Sequence, residues 1–247
     1  MKASAFEFRI RYLLHLVIYG LGFTAPWNHW LHLDPPGPNA HVWGILAATM
    51  PKAGIGSIGS AFDVLLGLGI AFALLGAGLR TWGAAYLGTD VVKDGAMHPG
   101  DESSVIADGP FRHLRNPLYV GTFMHTFALA LLMPVSGAIF TIVMIGLLQM
   151  RLILGEEAFL SEKLGPAYVA YCGLVPRVWP VVKARVMGSG KRPRWGQAFV
   201  GEIYMWGVAA SFAAVGWRYN ASLLWQGVIV SLGVSLVARA LLPKQAS

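Results

Sequence analysis

The chain has 247 residues, 55% apolar and only 13% charged, with a mean hydropathy of +0.57, which excludes an ordinary soluble domain and a disordered chain and marks a membrane protein. Its net charge of +7 is accounted for by lysines and arginines gathered on one side of a bilayer, so nucleic-acid binding is not needed to explain it. The single cysteine, Cys172, excludes an intrachain disulfide and a thiolate metal site.

Apolar stretches at 12–31, 61–79, 118–133, 135–154, 198–217 and 222–242 come near the ~20 residues that cross a bilayer. They predict an all-α polytopic membrane bundle of six transmembrane helices. Lys2, Arg9 and Arg11 precede the first stretch, as in a signal peptide, but a small-x-small cleavage site is lacking. Next comes "HWLHLD", 29–34, with His41 nearby. His29, His32 and Asp34 can be read as metal ligands, but an interfacial loop carrying an aromatic belt of Trp27, Trp30 and Trp43 is the preferred reading, and no metal is expected. Residues 42–50 are too short to span and read as interfacial or re-entrant. In the second stretch Gly69, Ala73 and Ala77 form a small-residue face.

Met133-Pro134-Val135 splits the third and fourth stretches into a tight helical hairpin. His125 within it reads as a packed intramembrane histidine bonded to a neighbouring helix, rather than a base. Glu202 in the fifth stretch reads as a partner for Arg194 or Arg239, or else as a substrate-tunnel residue. "NAS", 220–222, lies at a short turn and is set aside as a chance sequon. Gly227, Ser231 and Ser235 make a second small-residue face, for packing within the chain or in a homodimer.

With the N-terminus in the cytoplasm, six spans leave only Lys52 and Arg218 on the far side. Both termini then lie inside, along with Arg80, Lys93, Arg112, Arg115, Arg151 and the cluster from Lys163 to Arg194. "KRPR", 191–194, is suited to anionic headgroups. Loops 88–116 and 155–196 fall on the same side and become neighbours. The chain divides into N-terminal helices (1–104), a core (105–180), and a basic linker with a final helix pair (181–247).

The polar residues concentrate in those two loops. In "DGPFRHLRNPLYVG", 108–121, Asp108-Gly109-Pro110 is turn chemistry, and Asn116-Pro117 is the order of a helix N-cap and first helical position. The free amides of that helix start, with Arg112 and Arg115 one turn earlier, make a site for a carboxylate or phosphate. Gly121 allows close approach to the backbone. Glu156 and Glu157 stand at the end of the antiparallel partner helix, within reach of the arginines. Adjacent helical residues point about 100° apart, so one glutamate faces the site and the other makes a salt bridge or faces water. The aromatics Phe111, Tyr119, Tyr168 and Tyr171 suit a flat ring or a cation. S-adenosylmethionine, with its carboxylate, amine, sulfonium and adenine, is compatible with this set.

These residues carry a resemblance. "VIADGPFRHLRNPLYVG" and "EEAFLSEKLGPAYVAYCGLVPRVWP", within 105–180, resemble the isoprenylcysteine carboxyl methyltransferase family and its phospholipid methyltransferase relatives. The family pattern runs G-x-[YF], R-H-P-x-Y-x-G, a helical hairpin, E-E-x-x-L, F-G-x-x-Y-x-x-Y and V-P. Gly109 and Phe111 match the first element, and Arg115, Pro117, Tyr119 and Gly121 the second. Glu156, Glu157 and Leu160 match the third, and Gly165, Tyr168, Tyr171, Val175 and Pro176 the last two. "LRTWGAAYLG", 79–88, is similar to the segment before the site in bacterial members. The resemblance implies an S-adenosylmethionine site on the cytoplasmic side, lined by Gly109, Phe111, Arg112, His113, Arg115, Asn116, Pro117, Tyr119, Gly121, Glu156, Glu157 and Tyr168, with Arg115, Glu156 and Tyr119 nearest the chemistry. Asn116 stands where the family has histidine, and Ser103 where a second histidine is often found. Both departures bear on the acceptor more than on the cofactor.

Methyl transfer is an in-line displacement that asks the protein mainly to align reactants and exclude water. An amine acceptor must first lose a proton, and neither His98, His113 nor His125 is a convincing base. A lipophilic carboxylate such as isoprenylcysteine, or a thiol, is therefore the expected acceptor, with a phospholipid amine the alternative. A nicotinamide-dependent sterol-type reductase shares the arginine, proline, tyrosine and glycine pattern, but the paired glutamates argue against it. A non-enzymatic membrane protein leaves the joint spacing of two separate motifs unexplained.

Overall fold

A computed structural model describes residues 2–32, 41–87 and 105–241. Asp34, Lys93, His98 and Ser103, and the side chains of His29 and Arg239, lie outside what is described. Among the described residues every regular element is helical. Ser4 and Glu7 form a reciprocal capping box that starts the five-residue α1, Ala5–Arg9. Helix α2, Arg11–Thr24, stops where Ala25 turns left-handed ahead of Pro26, whose ring cannot continue the hydrogen-bond ladder. The short α3, Trp27–Leu31, follows.

Helix α4, Val42–Thr49, is capped by His41, whose Nδ1 accepts from Gly44 N at 3.0 Å. The long α5, Ile58–Leu87, begins at the mutually bonded Ser57 and Ser60. Helix α6, Pro117–Ala130, and the 30-residue α7, Val135–Leu164, form the expected hairpin, with Pro134 at the entry to α7. Gly165, at φ +58°, turns the chain into α8, Pro166–Leu174. After an irregular stretch come α9, Trp195–Gly201, and α10, Ile203–Val215, and finally α11, Ala221–Leu241. Asn220, the sequon asparagine, accepts from Leu223 N at 3.1 Å and so caps α11.

Among the described residues three helices are long and apolar enough to cross a membrane: α5, α7 and α11. A fourth joins them if α9 and α10, bent by 69° at Glu202, count as one broken span. All six predicted stretches are helical, yet α2 and α6 have 14 residues each. At ~1.5 Å rise per residue each covers about 21 Å, short of a ~30 Å hydrocarbon core. The breaks come from Ala25-Pro26 and from the turn at 131–134. Helix α4 compensates at that turn. Its Val42 and Trp43 amides donate to the Met133 and Leu131 carbonyls at 2.8 and 2.9 Å, satisfying backbone that the end of α6 leaves unpaired.

Trp43 is therefore no belt residue. It is 1% exposed, and its indole donates to the Phe62 carbonyl at 3.2 Å. Trp30, by contrast, is 75% exposed. The outward faces of α5, α7 and α11 leave Leu68, Leu75, Ile139, Leu147, Val230 and Leu236 exposed, as lipid-facing surfaces require.

Small residues set the packing. A Cβ at Gly121 of α6 would stand 2.8 Å from the Gly76 carbonyl oxygen and 2.7 Å from Arg80 Cγ of α5, so the close approach this glycine permits is made by a helix. Replacing Gly121 by alanine is expected to force the two helices apart at a cost of about 1–3 kcal/mol, read as a lower midpoint of thermal unfolding in detergent. The small-residue faces also serve contacts within the chain. A Cβ at Gly69 would meet Phe212 of α10 and Leu131, and one at Gly227 would meet Ser211 of α10.

Candidate cofactor site at the base of the hairpin

The residues singled out in the two loops converge where α6 begins and α7 ends. The chain enters through a 3-10 turn, Gly109–Arg112. Gly109 has φ +55°, and a Cβ there would run into the Tyr86 ring, so both conformation and space call for glycine. Asn116 occupies the N-cap position and Pro117 the first helical position, as expected. The asparagine does not cap, however. Its Nδ2 donates to Glu157 Oε1 and to the Arg177 carbonyl, both at 3.1 Å.

Glu157 is the hub. Its carboxylate meets Arg115 Nη1 at 3.5 Å and Arg177 Nη2 at 2.9 Å, and Arg177 Nε also donates to it at 2.9 Å. The hydrogen bond it donates to Glu157 holds the Arg177 guanidinium above its ordinary pKa. Glu156 turns the other way and accepts from the Tyr119 hydroxyl at 3.0 Å. The sequence left open which glutamate makes the salt bridge; the fold assigns that to Glu157 and leaves Glu156 with a neutral phenol. Arg115 also donates its amide to the Pro176 carbonyl at 2.9 Å, while its Nε is buried with no hydrogen-bond partner.

The rest of the turn serves a different purpose. The Arg112 Nε donates to the Val186 carbonyl at 2.9 Å, and His113 Nδ1 lies 2.9 Å from the Val181 carbonyl. Arg112 is thus directed away from the glutamates, contrary to the expectation that it approaches them. The Phe111 carbonyl accepts from the Tyr171 hydroxyl at 2.7 Å. Tyr168 and Tyr171 are buried against Val175, and burial pushes both phenols above their usual pKa. Gly121 faces α5, as described above, so no ligand contact is needed to explain it.

Three features were not foreseen. Arg177 completes the Glu157 cluster; its signal was only a cation in the matched "VPRVWP" segment. The N-terminal arm lies along α7, with Ala3 N donating to the Arg151 carbonyl at 3.0 Å and Glu7 paired with Arg151 at 2.8 Å. The Arg151 hydrogen bond is the chief cause that lowers the Glu7 carboxyl to about 2. Thirdly, Glu202 is ion-paired, as preferred from sequence, but to Arg80 at 2.6 and 2.8 Å. The apolar stretch ends at 79, which put Arg80 among the cations of the cytoplasmic side, whereas it lies within the helix, which runs on to Leu87. Arg80 also donates to Thr122 Oγ1 at 2.7 Å. His125 is 1% exposed and lies edge-on to Tyr204. Neither of its ring nitrogens has a hydrogen-bond partner, which corrects the expected bond to a neighbouring helix.

Chemically, the arrangement offers a buried arginine with a spare donor next to a carboxylate held by a tyrosine, at a helix start. Residues 64–167 match the family model described as Phospholipid methyltransferase. The match covers α5 from residue 64 on, the α6–α7 hairpin and the start of α8, and so takes in Arg115, Tyr119, Glu156 and Glu157. No significant match is found among curated proteins or among solved structures.

Proposed function

We propose that this chain, whose residues 64–167 match the phospholipid methyltransferase family model, is an integral membrane methyltransferase that transfers a methyl group from S-adenosylmethionine to a lipophilic acceptor. The observation that carries the reading is the meeting of two motifs some 40 residues apart, through Glu157 with Arg115 and Asn116 and through Glu156 with Tyr119. The residues suit the cofactor. The spare Nε of Arg115 is placed for a carboxylate, and Glu156 for the cationic part of the molecule, with Tyr119 fixing its orientation. The excess of lysine and arginine at this end of the bundle supports a cytoplasmic site.

S-adenosylmethionine supplies an electrophilic methyl group on a positively charged sulfur. The protein's share is alignment, charge balance and exclusion of water. A carboxylate or thiolate acceptor arrives with its own lone pair and releases no proton, so it asks for no base. That agrees with His113 being engaged by the Val181 carbonyl and with His125 lying deep in the bundle. An isoprenylcysteine-type carboxylate, or a thiol that arrives as its thiolate, is the favoured acceptor. A phospholipid amine is the second reading, favoured by the description of the matched family.

Calorimetry with S-adenosylhomocysteine tests the cofactor assignment. The homocysteine ligand is expected to bind while NADPH does not, and Arg115→Ala is expected to weaken it by roughly 10- to 100-fold, the value of a charge-assisted hydrogen bond. Preference for NADPH would overturn the reading in favour of a reductase. Turnover of an amine lipid that depends on His113 would overturn the carboxylate or thiol acceptor while leaving the methyltransferase intact.

A further inference from the structure

The stretch between α8 and α9 is neither helix nor strand, yet it is not loose. Its backbone is laced to the turn that leads into the candidate site. Val181 N donates to the His113 carbonyl at 3.2 Å and Arg185 N to the Arg112 carbonyl at 2.9 Å. Asp108 accepts from the Ser189 hydroxyl and from Gly190 N, and at the far end Arg194 N donates to the Ala85 carbonyl at 2.8 Å. Residues 178–194 are therefore a strap across the end of the bundle, lying where α5 ends, α6 begins and α7 ends.

Its side chains are oddly chosen for a strap in water. Val182 is 100% exposed, Met187 91% and Trp179 81%, on a segment whose backbone is pinned. Lys183 and Arg185 stand between them and Arg192 follows, all three exposed, and from 178 to 194 the sequence has five lysines and arginines and no acidic residue. Apolar and aromatic side chains interleaved with cations, at the end of a transmembrane bundle, are complementary to a layer of anionic headgroups over acyl chains.

We propose that the 178–194 strap docks on anionic lipid headgroups, with Trp179, Val182 and Met187 entering the acyl boundary and Lys183, Arg185 and Arg192 meeting the phosphates. Because the same strap holds residues 108–113 in place, lipid charge acts on the geometry of the turn before Pro117. The inference does not depend on the methyltransferase reading; it concerns where the strap sits, whatever the site binds.

The test uses the full chain carrying Cys172→Ser and Val182→Cys, labelled with an environment-sensitive fluorophore, in nanodiscs of phosphatidylcholine alone or mixed with phosphatidylglycerol. The label is expected to move to an apolar environment in the anionic discs and to return towards water as salt is raised. In Lys183→Gln/Arg185→Gln/Arg192→Gln the equilibrium constant for seating should fall about fivefold per cation removed, following the usual value of a basic residue at such a surface. A second label at Met187→Cys guards against a local effect of the first. Equal emission in both kinds of disc, whether apolar or water-like, would overturn the proposal, and so would a shift that the triple variant retains.

Discussion

Glu157→Gln is expected to destabilise the protein by about 3–5 kcal/mol, the cost of leaving a buried ion pair without one partner. Glu157 balances two cations and also accepts from Asn116, and with Arg115 it is almost wholly withdrawn from water. Glutamine keeps the shape and loses the charge, so Arg115 is left buried without a counterion. The apparent midpoint of thermal unfolding in nanodiscs should fall by on the order of 10 °C for a chain of this size. Glu156→Gln makes the opposite pattern. Its neighbour is the neutral Tyr119 hydroxyl, so the midpoint should stay near that of the wild type while affinity for S-adenosylhomocysteine drops. If Glu156→Gln unfolds as early as Glu157→Gln, the division of labour between the two glutamates is wrong.

The second large effect lies at Arg80. Its guanidinium makes a bidentate pair with Glu202 and also donates to Thr122 and to the Leu118 carbonyl, tying α5, α6 and the bend between α9 and α10 together. Arg80→Met leaves Glu202 charged and 3% exposed, at a cost again of about 3–5 kcal/mol. Arg80→Met/Glu202→Leu removes both charges and should recover most of that loss, since a well-packed apolar pair is often as stable as a buried ion pair. The comparison is made by thermal unfolding of the three proteins in the same detergent. Failure of the double variant to recover would mean that Arg80 works mainly through Thr122 and the Leu118 carbonyl.

Much of this was legible in the residues. Local chemistry decides the hairpin turn at Pro134, the helix start at Pro117, the glycine turn at Gly109 and the helical character of every apolar stretch, because caps, prolines and apolar runs act over a few neighbouring positions. The pairing of residues 108–116 with the segment after α7 was also readable, since an antiparallel hairpin returns the chain to the side it left.

What the sequence could not decide depends on contacts between distant segments. Whether an apolar run crosses a bilayer unbroken turns on a single backbone choice, as at Ala25-Pro26, which leaves α2 at 14 residues. Asn116 has the composition of a cap, yet its side chain goes to Glu157, because a buried carboxylate is the stronger acceptor. Trp43 has the look of a belt residue, and packing draws it into the core. The expected partners of Glu202 were cations near in sequence or in the last helix, and the partner is Arg80, brought in by the packing of α5 against α9 and α10. By itself the sequence determined a helical membrane protein with its polar residues gathered at one end of a hairpin. Only the tertiary structure decided which carboxylate pairs with which arginine, because burial and distance are properties of the packed bundle and not of any one stretch of chain.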